Sequence, residues 1–192
     1  MRKPKLISIS GIDGTGKTTQ INRLKEYFDS ENIKSEILKV KYLPFHKMKN
    51  ISLSVDDLRL LMAKDFVDYY NEMIKELSDY DYLLCDRSKA CLLAYGLGYG
   101  LKNPDNVFDK LKETPDPDLL FYFDIDPNTS IERISKNRSK LEEDETIDNL
   151  KRARMYYSKV FDDYNFNPVY INAEESKEEI TKKLILSIKS IY

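Results

Sequence analysis

Gly11-Ile12-Asp13-Gly14-Thr15-Gly16-Lys17-Thr18 fits the pattern GxxxxGK[ST], the spacing of a loop whose backbone N–H groups wrap a polyphosphate. Gly11, Gly14 and Gly16 permit positive φ and a close approach of backbone to phosphate oxygens, and a helix starting behind them adds its partial positive charge. In such a loop Lys17 reaches the terminal phosphates and Thr18 holds Mg²⁺, with Thr15 and Thr19 completing the expected nucleotide-binding set. Taken alone, the same letters could be a glycine turn before a surface helix, with Lys17 solvated.

Asp86 closes the apolar run from Tyr80 to Cys85 and precedes Arg87. A carboxylate at the carboxyl end of a parallel strand beside a phosphate loop can organise Mg²⁺; the alternative is a helix cap, a position that aspartate also favours. Arg133, Lys136, Arg138 and Lys140 form a basic cluster, and Glu142, Glu143, Asp144 and Glu145 then reverse the sign. That reversal fits either an excursion of the chain that carries cations toward phosphates or a plain solvated face. His46, the only histidine, has no identifiable partner carboxylate and reads as a surface-loop imidazole, with Lys47 and Lys49 solvated. Cys85 and Cys91 read as buried thiols rather than as a zinc cage or a disulfide framework.

These groups need a scaffold, and the chain alternates in a way that supplies one. Lys5 to Ser10 reads as a short buried strand, and Thr18 to Phe28 as a helix with Ile21, Leu24, Tyr27 and Phe28 at helical spacing. Ser35 to Lys41 is a second strand, followed over residues 42–49 by a loop of the kind that surrounds ligands in open α/β sheets. Ser54 is the expected N-cap of a long helix with Asp56 and Asp57 in its first turn. Val55, Leu58, Met62, Phe66, Tyr69 and Met73 fall on one broad face, taken as core. Tyr80 to Asp86 is a third strand, and Ala90 to Tyr95 a helix broken by Gly96-Leu97-Gly98-Tyr99-Gly100. Asn103 to Glu113 is a helix stopped by Pro115 and Pro117. Leu119 to Ile125 is a fourth strand, and Asp126-Pro127 opens a helix that turns Ile131 and Ile134 inward. Thr146 to Phe161 has Ile147, Leu150, Ala153, Tyr157 and Phe161 on its apolar side, and Pro168 to Asn172 with Glu174 to Ile191 adds a last strand and helix. Five strands separated by helices predict an α/β fold with a parallel sheet covered on both faces.

The 192 residues are 41% hydrophobic and 33% charged with a net charge of −2, which suits one domain with a full core. So small a net charge gives no general electrostatic case for nucleic acid or an anionic membrane, and any phosphate binding must be local. With no signal peptide and no run of about 18 apolar residues, a cytoplasmic protein is expected.

In three segments, in order and at suitable spacing, the chain resembles the thymidylate kinase family. ISGIDGTGKTTQ is similar to EGxDGxGKTTQ, DRSKACLLAYGLGYGL to DRYxxSxxAYQGAGRGL, and PDLLFYFDIDPNTSIERI to PDLTLYLDVDPEVALERI. The resemblance implies a three-layer P-loop NTPase fold, with a five-stranded parallel sheet in the order 2-3-1-4-5 flanked by helices. It also implies a single domain with a short lid at about residues 136–146, ATP and Mg²⁺ as cofactors, and a homodimer built on helices beside the acceptor site, for which the face from Val55 to Met73 could serve. It implies that Asp13 contacts a sugar 3′-hydroxyl, that Arg87 clamps the acceptor phosphate and that Tyr95 packs beneath the deoxyribose. Gly14 stands where some members carry arginine, so transition-state cations are expected from the lid: Arg138 and Lys140 first, then Arg133 and Lys136. Arg133, Asn172 and Ala173 join the nucleotide-binding set, the last two resembling the loop that lines the adenine pocket.

The departures lie on the acceptor side. Met62 replaces a phenylalanine that stacks on thymine, and Phe66 an arginine that hydrogen-bonds it. Phe66 shares a helical face with Met62 and could restore stacking, yet it donates no hydrogen bond. Cys91 replaces a serine, Gly96 a glutamine, Tyr99 an arginine and Ser10 a glutamate. The activity implied is ATP-dependent phosphorylation of a deoxynucleoside monophosphate, dTMP to dTDP with release of ADP, with Lys17, Asp86, Arg87, Arg138 and Lys140 as the catalytic set. Two alternatives stand beside it: a deoxynucleoside kinase, which Asp86-Arg87-Ser88 favours through a similar Glu-Arg-Ser triplet, and a catalytically silent nucleotide-binding relative with a regulatory role.

Overall fold

The computed structural model describes residues 3–39, 53–137 and 146–191. His46, Lys47 and Lys49, the cations Arg138 and Lys140, and the acidic run at 142–145 lie outside the described residues, as does most of the expected lid.

Five strands, β1 (Lys5–Gly11), β2 (Ser35–Leu38), β3 (Tyr82–Asp86), β4 (Leu119–Asp124) and β5 (Val169–Asn172), form one parallel sheet in the order 2-3-1-4-5. The central strand β1 is flanked by β3, with Ile9 opposite Asp86, and by β4, with Gly11 opposite Phe123. That register brings the ends of all three strands to one edge, so Gly11, Asp86 and Asp124 arrive together. Helices cover both faces, which is why β1 and β3 are buried on both sides rather than on alternate residues, the hydroxyls of Ser8 and Ser10 included.

The described helices are α1 (Lys17–Ser30), α2 (Val55–Glu76), α3 (Lys89–Gly98), α4 (Pro104–Leu111), α5 (Pro127–Asn137), α6 (Ile147–Asp163) and α7 (Lys177–Lys189). Ser54 caps α2 through the Asp57 N–H, Ser88 caps α3, Thr146 caps α6 and Ser176 caps α7, each satisfying an N–H with no partner inside its helix. On one side α1 is tied to α7 by Gln20 Nε2 donating to the Lys177 carbonyl (2.9 Å) and Arg23 Nε to Thr181 Oγ1 (2.8 Å). On the other, α3 packs along α6, where Gly98 brings the two backbones into contact at Ala153.

Two local expectations are corrected. The helix α3 does not break at Gly96 but runs on to Gly98, because a glycine there leaves room for Arg59 and Leu101, which a Cβ would meet at 3.4 and 2.9 Å. The buried face of α2 is rotated from the one expected. Leu58, Arg59, Ala63, Phe66, Val67 and Tyr70 are buried, while Val55, Met62, Tyr69 and Met73 are only half-buried. Arg59 enters that face by laying its methylene stem on Gly96 and its guanidinium over the Tyr99 ring, 5.3 Å from the centroid.

Candidate active site

The loop between β1 and α1 is the sequence motif itself. Gly16 ends it in the left-handed region (φ +88°, ψ +15°) as the N-cap of α1, and its carbonyl accepts the Gln20 N–H at 3.0 Å. The amides that open α1 therefore point into the loop with the positive end of the helix dipole behind them. Lys17 is folded onto this loop: Nζ donates to the carbonyls of Gly11 (3.0 Å) and Ile12 (2.7 Å) and lies 3.4 Å from Thr15 Oγ1. Burial, reinforced by repulsion from Arg87, holds the Lys17 ammonium below the ordinary lysine value. Thr15 is buried within the loop, whereas Thr18 and Thr19 face solvent on the first turn of α1.

Gly14 marks where this loop meets α5. Its φ is +78°, and a Cβ there would stand 2.7 Å from the Ser130 carbonyl, 2.8 Å from Ser130 Oγ and 2.9 Å from Ile134 Cγ1. Ser130 Oγ also donates to the Asp13 carbonyl. Any side chain at position 14 must distort both backbone and packing, so Gly14→Ala is expected to destabilise the protein by about 2–4 kcal/mol, from the left-handed backbone and the overpacking together. Urea denaturation would register this as a lowered midpoint at unchanged slope.

Asp86 closes β3 beneath the loop. Thr18 Oγ1 donates to Asp86 Oδ2 at 3.1 Å, and Lys39 Nζ lies 3.2 Å from the same oxygen. A hydroxyl and a carboxylate are hard oxygen donors and fit Mg²⁺, which takes one or two protein oxygens and completes its shell with phosphate and water. Thr18 and Asp86 are residues that could hold the ion; among the described residues no group of three or more His, Cys, Asp or Glu side chains gathers as a cage.

The residue after Asp86 is bent out of its strand. Arg87 adopts φ +84°, a left-handed conformation that costs a residue with a Cβ on the order of 1–2 kcal/mol. Its N–H is held on the Ile9 carbonyl (3.1 Å) and its own carbonyl receives the Tyr70 hydroxyl (3.3 Å). This bend sends the guanidinium to the phosphate loop, where Nη2 donates to Asp13 Oδ1. On α3, the Tyr95 hydroxyl donates to Asp13 Oδ2 (2.8 Å) and accepts the Asp13 N–H (3.0 Å), and the Arg87 guanidinium lies 5.7 Å from the Tyr95 ring centroid. Burial pushes the Asp13 carboxyl up, but Arg87, Lys17 and the Tyr95 hydroxyl together outweigh it and hold the group well below the usual carboxylate range. The Asp13 charge raises Arg87 further, and burial together with that same charge keeps Tyr95 a neutral phenol. Asp13, Arg87 and Tyr95, which sequence alone places 74 and 82 positions apart, are thus one cluster beside Lys17.

Other expected residues fall into two groups. On the far side of the loop, Arg133 Nη1 donates to the Ala173 carbonyl (2.8 Å), and the Ala173 N–H donates to the Asp124 carbonyl (2.8 Å), bringing Arg133 to the Asn172-Ala173 turn. Asn172 is exposed there. Phe66 does not offer a ring face to the crevice. It is 2% exposed and stacked on Tyr70 with centroids 4.1 Å apart, so its expected stacking on a base is replaced by core packing. Met62 is half-buried against the same core.

Ser10 and Cys91 stand out in the sequence as separate departures, and their contact with each other is not foreseen there. Ser10 Oγ and Ser88 Oγ are 2.5 Å apart, Cys91 Sγ is 3.5 Å from Ser10 Oγ, and the Tyr157 hydroxyl is 3.1 Å from Cys91 Sγ and hydrogen-bonded to Gly11. The departures at 10, 88 and 91 from the patterns quoted above therefore touch one another directly under the phosphate loop. Tyr157 was legible only as an apolar helix position, because periodicity registers the ring and not its hydroxyl.

A sequence model described as Thymidylate kinase matches residues 9–184. Among curated proteins, Probable thymidylate kinase 1 of Saccharolobus solfataricus is 29% identical over 96% of this chain and 97% of its own. Thymidylate kinase of Prochlorococcus marinus is 29% identical over 98% of both chains. Thymidylate kinase of Bacillus cereus is 30% identical over 97% of this chain and 98% of its own.

Proposed function

The chain belongs to the thymidylate kinase family and is a nucleoside monophosphate kinase, and we propose that its reaction is transfer of a phosphoryl group from ATP to dTMP, giving dTDP and ADP. The observation that carries this reading is the Asp13–Arg87–Tyr95 cluster, a guanidinium, a carboxylate and a phenol hydroxyl held against the loop that contains Lys17. Relatives named thymidylate kinase over nearly their whole length support dTMP as the acceptor.

In this reading Arg87 binds the acceptor phosphate and Asp13 the sugar hydroxyl, with Tyr95 holding the carboxylate in place. Lys17 and the amides opening α1 bind the donor phosphates, and Arg133 with Asn172 and Ala173 borders the donor base. Mg²⁺ held by Thr18 and Asp86 would supply charge neutralisation between the phosphates. Arg138 and Lys140 on a lid over about 136–146 are proposed to cover the reacting groups and exclude water. A phosphate acceptor is largely dianionic near neutrality and needs no general base. The charge state of the site agrees with that chemistry: Asp13, held strongly acidic, is a poor base for a neutral hydroxyl. This favours a monophosphate over a nucleoside acceptor.

Among the described residues no helix is long and apolar enough to cross a membrane, which agrees with the proposed cytoplasmic location. Leu53, Leu60 and Leu61 are exposed at the start and along the outer side of α2, and a second copy of the chain is proposed to cover them. The deciding experiment measures ADP release with ATP and Mg²⁺ against dTMP, dUMP, dCMP, dGMP, dAMP and thymidine. Turnover with dTMP and none with thymidine is the expected result. Turnover with thymidine alone would make the protein a nucleoside kinase, and ATP binding without transfer to any acceptor would make it a silent relative.

A further inference from the structure

The Tyr157 hydroxyl has more neighbours than it can serve at once. It accepts the Gly11 N–H at 3.3 Å, and it lies 3.2 Å from the Gly11 carbonyl and 3.1 Å from Cys91 Sγ. A phenol carries one proton, and the Cys91 thiol gives its own to Ser10 Oγ at 3.5 Å, so at any moment the phenol donates to that carbonyl or to the sulfur. The ring cannot move to resolve the competition. It is fully buried among Tyr122, Phe161 and Tyr95, with centroids 4.9, 5.7 and 6.5 Å away. Rotation about the C–O bond is the freedom left to the hydroxyl. Burial, with the neighbouring Cys91 and Tyr95, keeps it protonated well above the ordinary tyrosine range.

The Gly11 carbonyl has a second donor, Lys17 Nζ at 3.0 Å. If the loop binds a nucleoside triphosphate, as proposed above, Lys17 must leave that carbonyl to reach a phosphate oxygen. A buried carbonyl stripped of its donor opposes the move. The Ile12 carbonyl, which Lys17 also leaves, keeps Thr15 Oγ1 at 3.0 Å. We propose that Tyr157 is a positioning residue for donor binding: its hydroxyl rotates from Cys91 Sγ to the Gly11 carbonyl and replaces the ammonium there, which frees Lys17 for the nucleotide.

Calorimetric titration with ATP and Mg²⁺ tests this inference. Tyr157→Phe keeps the ring and removes the hydroxyl. The loss at the Gly11 N–H is common to free and bound protein, whereas the loss at the Gly11 carbonyl is felt only once Lys17 has left. ATP is expected to bind about tenfold more weakly, the scale of one buried hydrogen bond. Cys91→Ala removes the competing acceptor and commits the hydroxyl to Gly11, so ATP is expected to bind as tightly as to wild type or tighter. In a Lys17→Met background there is no ammonium to release, and Tyr157→Phe should then cost less than about threefold, a coupling that a double-mutant cycle isolates. Unchanged ATP affinity in Tyr157→Phe, weakening in Cys91→Ala comparable to that in Tyr157→Phe, or the full tenfold loss persisting without Lys17 would each overturn the proposal. Wild-type protein that does not bind ATP would overturn the functional reading itself, and this inference with it.

Discussion

Replacing Lys17 with alanine is expected to lower kcat/KM for phosphoryl transfer by about 10³-fold while leaving the fold intact, the scale of losing one preorganised charge at a transferring phosphoryl group. The activity loss follows from the position of the ammonium, buried at the mouth of the loop and beside Arg87 rather than in solvent. The intact fold follows from what remains. The Gly11 carbonyl keeps Tyr157 and the Ile12 carbonyl keeps Thr15, so neither is stranded. Stability should also change its pH profile. Because the folded-state pKa of Lys17 lies below 10.5, the unfolded chain binds more protons than the folded one in the window just under that value, and wild-type stability gains as pH rises through it. The alanine variant lacks that gain. Activity within tenfold of wild type would remove Lys17 from the reaction, and a collapsed urea midpoint would show that the two carbonyls depended on it.

Arg87→Ala should cost about as much in catalysis but on the acceptor side, with kcat/KM in dTMP falling by about 10³-fold and KM for ATP changing little. It should also destabilise the protein at neutral pH by about 2 kcal/mol, because Asp13 would lose the cation that most offsets its burial. In wild type the depressed Asp13 pKa stabilises the fold at every pH above the usual 3.8, and that contribution is lost as pH falls through the folded-state value. Without Arg87 the acid-side loss should shrink. The left-handed backbone at position 87 provides a control within the same site. Arg87→Gly removes the guanidinium equally but relieves the strain at φ +84°, so it should be more stable than Arg87→Ala by about 1 kcal/mol and no more active. Arg87→Lys keeps charge without the planar fork and should recover only a small part of the activity. Acceptor kinetics unchanged in all three variants would exclude Arg87 as the phosphate clamp.

The parts of this molecule that were legible in its sequence are those where one residue type answers to one local rule. The glycine spacing of the loop, Ser54 as a cap, Pro127 opening a helix and the β-rich run at Leu119–Asp124 each carry their own physics, and the alternation of strands and helices was enough to give a covered parallel sheet. The strand order came from the family patterns, as did the gathering of Asp13, Arg87 and Tyr95. What periodicity missed has a common cause. It weighs whole side chains, whereas the fold sorts atoms: the stem of Arg59 is buried with the core, and the Tyr157 ring is core while its hydroxyl belongs to the loop. Phe66 was misjudged because a place on a helix face does not say whether a ring looks toward a crevice or toward its neighbour Tyr70. The glycines of α3 were read as breakers when one of them admits a neighbouring helix.

The flush fit of Gly14 against Ser130 and Ile134 also bears on descent. A lineage that places arginine in the loop cannot be reached from this one in a single step, since the guanidinium would arrive with a Cβ that has nowhere to go. Trimming position 134 or reshaping the turn at 130 would have to come first, as changes with no catalytic benefit of their own. The two ways of supplying positive charge to the reacting phosphates are therefore separated by a valley, and the order in which substitutions accumulate decides which side a descendant occupies.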